Sequence, residues 1–116
     1  MRIAINGMGR IGRLLFRRLI EDNEFELIAV NDIMPIENLG YLLKYDSIYG
    51  TFSDQVKIKG HSLLINKKEI AVIQNPDPKK LPWKDLNIDV VLECSGKFSD
   101  KASASQHLKA GAKRVL

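Results

Sequence analysis

The sequence predicts an α/β fold, a doubly wound parallel sheet with a short β-meander insertion, in a single domain over residues 1–116. Three observations carry that prediction. Short apolar runs alternate with stretches of helical period, a glycine-rich turn joins the first run to the first such stretch, and an acid closes the second run.

The elements follow in chain order. Arg2 to Asn6 contains Ile3-Ala4-Ile5, a continuous apolar run ending in glycines, as suits a strand buried on both faces. From Arg10 the period turns helical, with Ile11, Leu14, Leu15, Arg18 and Leu19 on the expected inner face. Glu21-Asp22-Asn23 ends that helix, and Leu27-Ile28-Ala29-Val30 reads as a second buried strand, completing a right-handed β-α-β unit. Pro35 suits a helix first turn, and Ile36, Leu39, Leu42 and Leu43 follow at helical spacing. Val56 to Lys59, Ser62 to Ile65 and Glu69 to Ile73 are short strands joined by turns at Gly60 and Asn66-Lys67, which form the meander. Pro76, Pro78 and Pro82 mark an extended loop. Asp89-Val90-Val91-Leu92 is another buried strand, followed by the turn Cys94-Ser95-Gly96. Ser99 or Asp100 is a candidate cap for a helix through Leu108, with Gly111 to end it. Val115-Leu116 opens one more strand and then stops, so the domain is expected to be cut at its C-terminal end.

Composition narrows the function classes. A chain of 116 residues buries about two thirds of its unfolded surface, enough for one core. Hydrophobic residues at 45% and charged residues at 28% place it with ordinary globular proteins rather than disordered ones. No apolar run reaches the ~18–20 residues of a membrane span, and no secretory signal precedes the first strand, so no membrane partner is expected. The lone Cys94 excludes an internal disulfide and a cysteine cage for zinc, and no His/Asp/Glu cluster has metal-ligand spacing. A reducing cytoplasm is the expected compartment. The net charge of +4 raises nucleic acid as a partner. Its basic residues, however, are scattered as pairs such as Arg17-Arg18 and Lys113-Arg114 among acids, unlike the stripe of a duplex binder. A dispersed basic excess serves anionic metabolites equally well.

The chemistry-bearing motif is Asn6-Gly7-Met8-Gly9-Arg10-Ile11-Gly12, a G-x-G-x-x-G between strand and helix. Its first glycine permits the tight turn, its second lets a pyrophosphate approach the backbone, and its third lets helix and strand pack closely. The helix start presents unpaired N–H groups and a positive dipole end to phosphate, and Arg10 adds a cation at its mouth. Asp32 stands twenty residues past Gly12, the offset of a carboxylate that accepts from ribose hydroxyls. Such a carboxylate repels a 2′-phosphate, so the expected cofactor is NAD rather than NADP.

The run Ile3 to Arg13, I-A-I-N-G-M-G-R-I-G-R, resembles the N-terminus of the phosphorylating glyceraldehyde-3-phosphate dehydrogenase family. Val30-Asn31-Asp32, Leu42 to Ser47 with Gly50, Leu81-Pro82-Trp83, Glu93-Cys94-Ser95-Gly96 and Ala110 to Lys113 continue the resemblance in order across the whole chain. It implies a Rossmann NAD-binding domain in which Asn6, Gly7, Gly9, Arg10 and Ile11 line the pyrophosphate side. Asn31 and Asp32 would hold the adenosine ribose, while Ser95, Gly96 and Phe98 would follow the path from adenine to nicotinamide. Three stretches depart from the family pattern. Met8 replaces a phenylalanine, Tyr49 replaces a histidine, and Asn75-Pro76-Asp77-Pro78 replaces E-R-D-P, leaving the Pro76 carbonyl but no arginine side chain to reach adenine.

The family oxidises an aldehyde to an acyl phosphate through a cysteine thioester, with hydride passing to the nicotinamide. The S-C-T-T-N motif that carries its nucleophile is not in this sequence, so no catalytic residue is assigned here. Cys94 with His107 thirteen residues later is the tempting substitute, but a small residue at a strand end is the plainer reading. His61 reads as a surface turn residue, and Tyr45, Phe52 and Trp83 read as packing groups. The resemblance also implies a phosphorylated aldehyde and phosphate as partners and a homo-oligomer, with the fragment self-associating through its uncovered edge. Erythrose-4-phosphate dehydrogenase has similar motifs, and a stand-alone nucleotide-binding module remains a reading from another class.

Overall fold

Ile3, Ala4 and Ile5 are all buried, so β1 (Arg2–Asn6) must run through a sheet covered on both faces. The computed structural model describes residues 1–22, 24–45, 56–65, 67–96 and 101–116. In it β1 lies between β2 (Glu26–Asn31) and β6 (Val90–Glu93), parallel to both. β3 (Lys57–Lys59), β4 (Ser62–Ile65), β5 (Lys68–Ile73) and β7 (Arg114–Val115) complete a seven-stranded sheet in the order β3-β4-β5-β2-β1-β6-β7. β5 pairs in parallel with β2 and antiparallel with β4. The meander is therefore the outer edge of the one sheet, and its last strand belongs to the parallel core.

Each face of the sheet carries its own core. On one, Ile3, Ile5, Val30, Val72 and Val90 pack against Phe16 and Ile20 of α1 (Arg10–Ile20) and Leu39 and Leu43 of α2 (Ile36–Tyr45). On the other, the small side chains of Ala4 and Ala29 make room for Trp83, which packs with Leu81, Ile88, Val91 and Ala112. Trp83 and Phe16 are fully buried, and each such aromatic anchors its face with roughly 2–3 kcal/mol of transfer free energy. α3 (Lys101–Lys109) returns over the Trp83 face and leads into β7.

The structure corrects three expectations. The inner face of α1 is Gly12, Phe16, Arg17 and Ile20, while Ile11 is 66% exposed and Arg18 is exposed. The reason is the close approach at Gly12, where an added Cβ would run into the Gly7 carbonyl. That contact fixes the helix rotation and carries the i, i+4 stripe Gly12-Phe16-Ile20 onto the sheet, leaving Leu14, Leu15 and Leu19 half-buried on the flank. The proline loop contains a short 3-10 helix, Pro78–Lys80, capped by the Asp77 carboxylate accepting from the Lys79 N–H. Tyr45 is 55% exposed and makes a tilted ring contact with the exposed Tyr41 rather than packing into a core. The expected Ser99 or Asp100 cap, Phe52, Tyr49 and the turn residue Asn66 lie outside the described residues. Among the described residues no helix is long and apolar enough to cross a membrane.

Candidate functional site

In an open parallel sheet, ligands bind outside the carboxyl ends of the strands where the winding reverses. Here β1 sends the chain toward β2 on one side and has β6 on the other, so the reversal falls at β1. A cleft of about 320 Å³ opens at that place, lined by Asn6, Gly7, Gly9, Asn31, Asp32 and Ser95 from the predicted set. Pro76 joins them from the loop after β5. Arg10 and Ile11 follow Gly9 on the exposed first turn of α1, and Gly96 is exposed past Ser95; none of the three is in the lining. Phe98 lies outside the described residues. Ile33, Asn75, Pro78 and Cys94 also line the cleft and were not singled out as site residues by the sequence.

The glycine turn is built as the motif requires. Gly7 has a φ of +98°, and its N–H donates to the Asn31 carbonyl at 2.8 Å, so the turn is tied to β2. A Cβ on Gly7 would stand 2.5 Å from the backbone of Ser95, whereas a Cβ on Gly9 would meet nothing within 4 Å. The backbone is thus closed behind Gly7 and open in front of Gly9, which leaves room for a ligand to touch the chain. Gly9 caps α1 without a side-chain hydrogen bond, the first turn holds no acid, and Arg17 and Arg18 sit in the last turn. The helix start therefore offers first-turn N–H groups without intrahelical acceptors and a positive dipole end next to Gly9, which lines the cleft.

Asp32 is fixed from two sides. Its Oδ2 accepts from the Met8 N–H at 2.6 Å and its Oδ1 from the Met34 N–H at 2.9 Å. Each oxygen keeps a lone pair for a further donor, so the carboxylate is aimed before any ligand arrives.

Beneath the cleft runs a row of polar side chains that the sheet register assembles. Asn6 pairs with Asn31 on one side and Glu93 on the other, so the three project from the same face at the strand ends. Asn31 Nδ2 donates to Asn6 Oδ1 at 2.7 Å, and Asn6 Nδ2 donates to Glu93 Oε1 at 2.7 Å. Asn31 also exchanges hydrogen bonds with the Asn75 backbone, at 3.0 Å from the N–H and 2.9 Å to the carbonyl. Glu93 Oε2 accepts from the Ser95 N–H at 2.9 Å and from its hydroxyl at 2.7 Å. His107, fully buried, lies 2.7 Å from Glu93 Oε1 through Nε2 and 3.0 Å from the Trp83 indole nitrogen through Nδ1.

Burial pushes the Glu93 carboxyl up, but hydrogen bonds from His107, the Ser95 N–H, Asn6 and the Ser95 hydroxyl outweigh it and hold the group below its ordinary 4.5. A carboxyl lowered by folding contributes stability that is complete above its unfolded value and is lost as pH falls through the folded one. Melting temperatures taken from pH 7 to pH 3 should therefore fall more steeply below about pH 4.5 in the wild type than in Glu93→Gln, whose amide does not titrate. Equal slopes would show that this carboxylate gains nothing on folding.

Cys94 is half-buried, and burial followed by the Glu93 charge raises its thiol above the ordinary value, the reverse of a nucleophile's setting. Both ring nitrogens of His107 are engaged by Glu93 and Trp83. The Cys94–His107 pairing is thus set aside on geometry. Among the described residues no group of three His, Cys, Asp or Glu side chains is placed to hold a metal ion.

Comparison with known proteins agrees with this architecture. Residues 1–101 match the family model of the glyceraldehyde 3-phosphate dehydrogenase NAD binding domain. The chain is 49% identical over 116 residues to glyceraldehyde-3-phosphate dehydrogenase of Mycoplasma pneumoniae and 49% identical over 115 residues to that of Clostridium acetobutylicum. It is 47% identical over 117 residues to the enzyme of Thermotoga maritima. These alignments take in 99–100% of this chain but 34–35% of each relative, so the chain spans about a third of the length of the curated relatives it matches. With the switch-point cleft, the glycine turn and the aimed Asp32, they establish that the chain belongs to the glyceraldehyde-3-phosphate dehydrogenase family, as its NAD-binding domain.

Proposed function

We propose that the cleft holds NAD for the phosphorylating oxidation of glyceraldehyde 3-phosphate, the carrying observation being the open backbone at Gly9 beside an aimed Asp32 carboxylate. The pyrophosphate belongs over Gly9, with Arg10 and Ile11 at its side and the N–H groups of α1 as donors. Asp32 and Asn31 take the adenosine ribose, Pro76 the adenine edge, and Asn6, Gly7, Ser95 and Gly96 the path toward the nicotinamide. Phe98 is assigned to the same path by resemblance alone. NAD when bound supplies the hydride acceptor; this chain's residues bind and orient it. The nucleophile, the base and the groups that hold the phosphorylated aldehyde and phosphate belong to other parts of the whole enzyme, and no residue here is proposed as catalytic.

A cytoplasmic, glycolytic enzyme assembled as a homo-oligomer is the setting this reading favours. Exposed Tyr41, Tyr45 and Ile58, clustered where α2 meets β3, support the assembly. Titration calorimetry tests the cofactor assignment. NAD+ should bind at least ~10-fold more tightly than NADP+, because a 2′-phosphate would bring its charge against a carboxylate already fixed in place. Equal affinities, or a preference for NADP+, would remove Asp32 from its assigned role.

A further inference from the structure

We propose that His107 is a positioning residue of the cofactor cleft: held in one tautomer by Trp83, it fixes the Glu93 carboxylate that orients Ser95 and Asn6 at the cleft wall. The inference rests on the reading of the cleft as the NAD site and adds residues that do not line it. It follows from counting donors and acceptors. The indole N–H can only donate, so His107 Nδ1 must accept, and the proton of the neutral ring is on Nε2. Nε2–H then donates to Glu93 Oε1. The 3.5 Å approach of Asn6 Nδ2 to the same Nε2 sets two donors side by side and is a contact rather than a bond.

Every acceptor position of the carboxylate is accounted for. Oε1 receives His107 and Asn6, and Oε2 receives the Ser95 N–H and hydroxyl. With Asn6 Nδ2 drawn to Glu93, its Oδ1 must face Asn31, whose own Oδ1 is left for the Asn75 N–H. A single direction of donation therefore runs from Trp83 through His107 to Glu93. A second runs from the Asn75 loop through Asn31 and Asn6 to the same carboxylate. Together they strap the ends of β2, β1 and β6 and the loop after β5 beneath the cleft floor. If the ring proton moved to Nδ1, two donors would meet at Trp83 and two acceptors at Glu93, 2.7 Å apart. Glu93 would turn away, and Ser95 would lose the bonds that its N–H and hydroxyl make to Oε2.

The test combines nitrogen-15 spectra of the histidine rings with NAD+ calorimetry on the full chain. In the wild type the His107 ring should show the Nε2–H tautomer; a proton on Nδ1 would overturn the proposal. His107→Leu should bind NAD+ ~10-fold more weakly, whereas His107→Gln should recover affinity to within about threefold, since an amide can accept from Trp83 and donate to Glu93. Wild-type affinity in a folded His107→Leu, or equal weakening in both variants, would contradict a positioning role. Should His107→Leu not fold, Trp83→Phe takes its place. It keeps an aromatic ring, though a smaller one, and loses the N–H, so a mixed tautomer and several-fold weaker binding are expected, and neither changing would overturn the proposal. Failure of the wild type to bind NAD+ while keeping the Nε2–H tautomer would instead strike the reading of the cleft itself.

Discussion

Gly7→Ala is expected to destabilise the domain by about 3 kcal/mol or more and to abolish NAD+ binding. Two independent effects act at this residue. Its φ of +98° is one that an L side chain rarely adopts, and the new Cβ would stand 2.5 Å from the Ser95 backbone and 2.7 Å from the Cys94 carbonyl carbon. Neither obstacle is a flexible side-chain tip. Both belong to the turn after β6, so relief requires β1 and β6 to part at their carboxyl ends, where the cleft is. Gly9→Ala is the contrasting case. Its φ of −73° suits alanine and its Cβ enters open space, so denaturation should find it nearly as stable as the wild type. Calorimetry should nevertheless find its NAD+ affinity reduced, because that open space is where the ligand meets the backbone. A Gly7→Ala protein of wild-type stability would show that the turn is not held as described.

Asp32→Ala should weaken NAD+ binding by at least ~10-fold and remove most of the preference over NADP+. The substitution takes away a ribose acceptor and also orphans the N–H groups of Met8 and Met34, both of which the carboxylate now satisfies. Losing those partners should lower stability by about 1–3 kcal/mol, since Met8 is buried and Met34 half-buried rather than in free solvent. Asp32→Asn separates the two effects. Its amide oxygen can still accept from one of the two N–H groups, while the charge that opposes a 2′-phosphate is gone. Asp32→Asn should therefore keep more stability than Asp32→Ala yet lose discrimination to a similar extent. Calorimetry with both dinucleotides, beside thermal melts, measures each part.

Much of this was legible in the sequence because it is local. The glycine turn, the strand before it and the helix after it lie within Arg2 to Ile20, and period and spacing announce each of them. Asp32 is readable for the same reason, at a fixed distance along the chain from the turn. The rotation of α1 was not, because it is decided by the contact between Gly12 and Gly7, and hydropathy alone favours the stripe containing Ile11. The polar row was invisible for a different cause. Asn6 and Glu93 are 87 positions apart and become neighbours only through strand register, while Trp83 and His107 meet across 24 positions on the far face of the sheet. A periodicity reading treats Trp83 as packing, which it is, and has no means of seeing that its N–H sets a tautomer. Ile33, Asn75 and Pro78 escaped notice because strand ends and loops converge on the cleft only once the sheet order is known.

Backbone amide shifts recorded while NAD+ is titrated into the labelled chain test the central claim most directly. The largest changes should fall on Gly7, Gly9, Arg10 and Ile11, with Asp32, Asn75 and Ser95 responding and the α2–β3 face silent. Changes centred on that face instead, with the glycine turn unmoved, would contradict the placement of the dinucleotide over the carboxyl ends of the sheet.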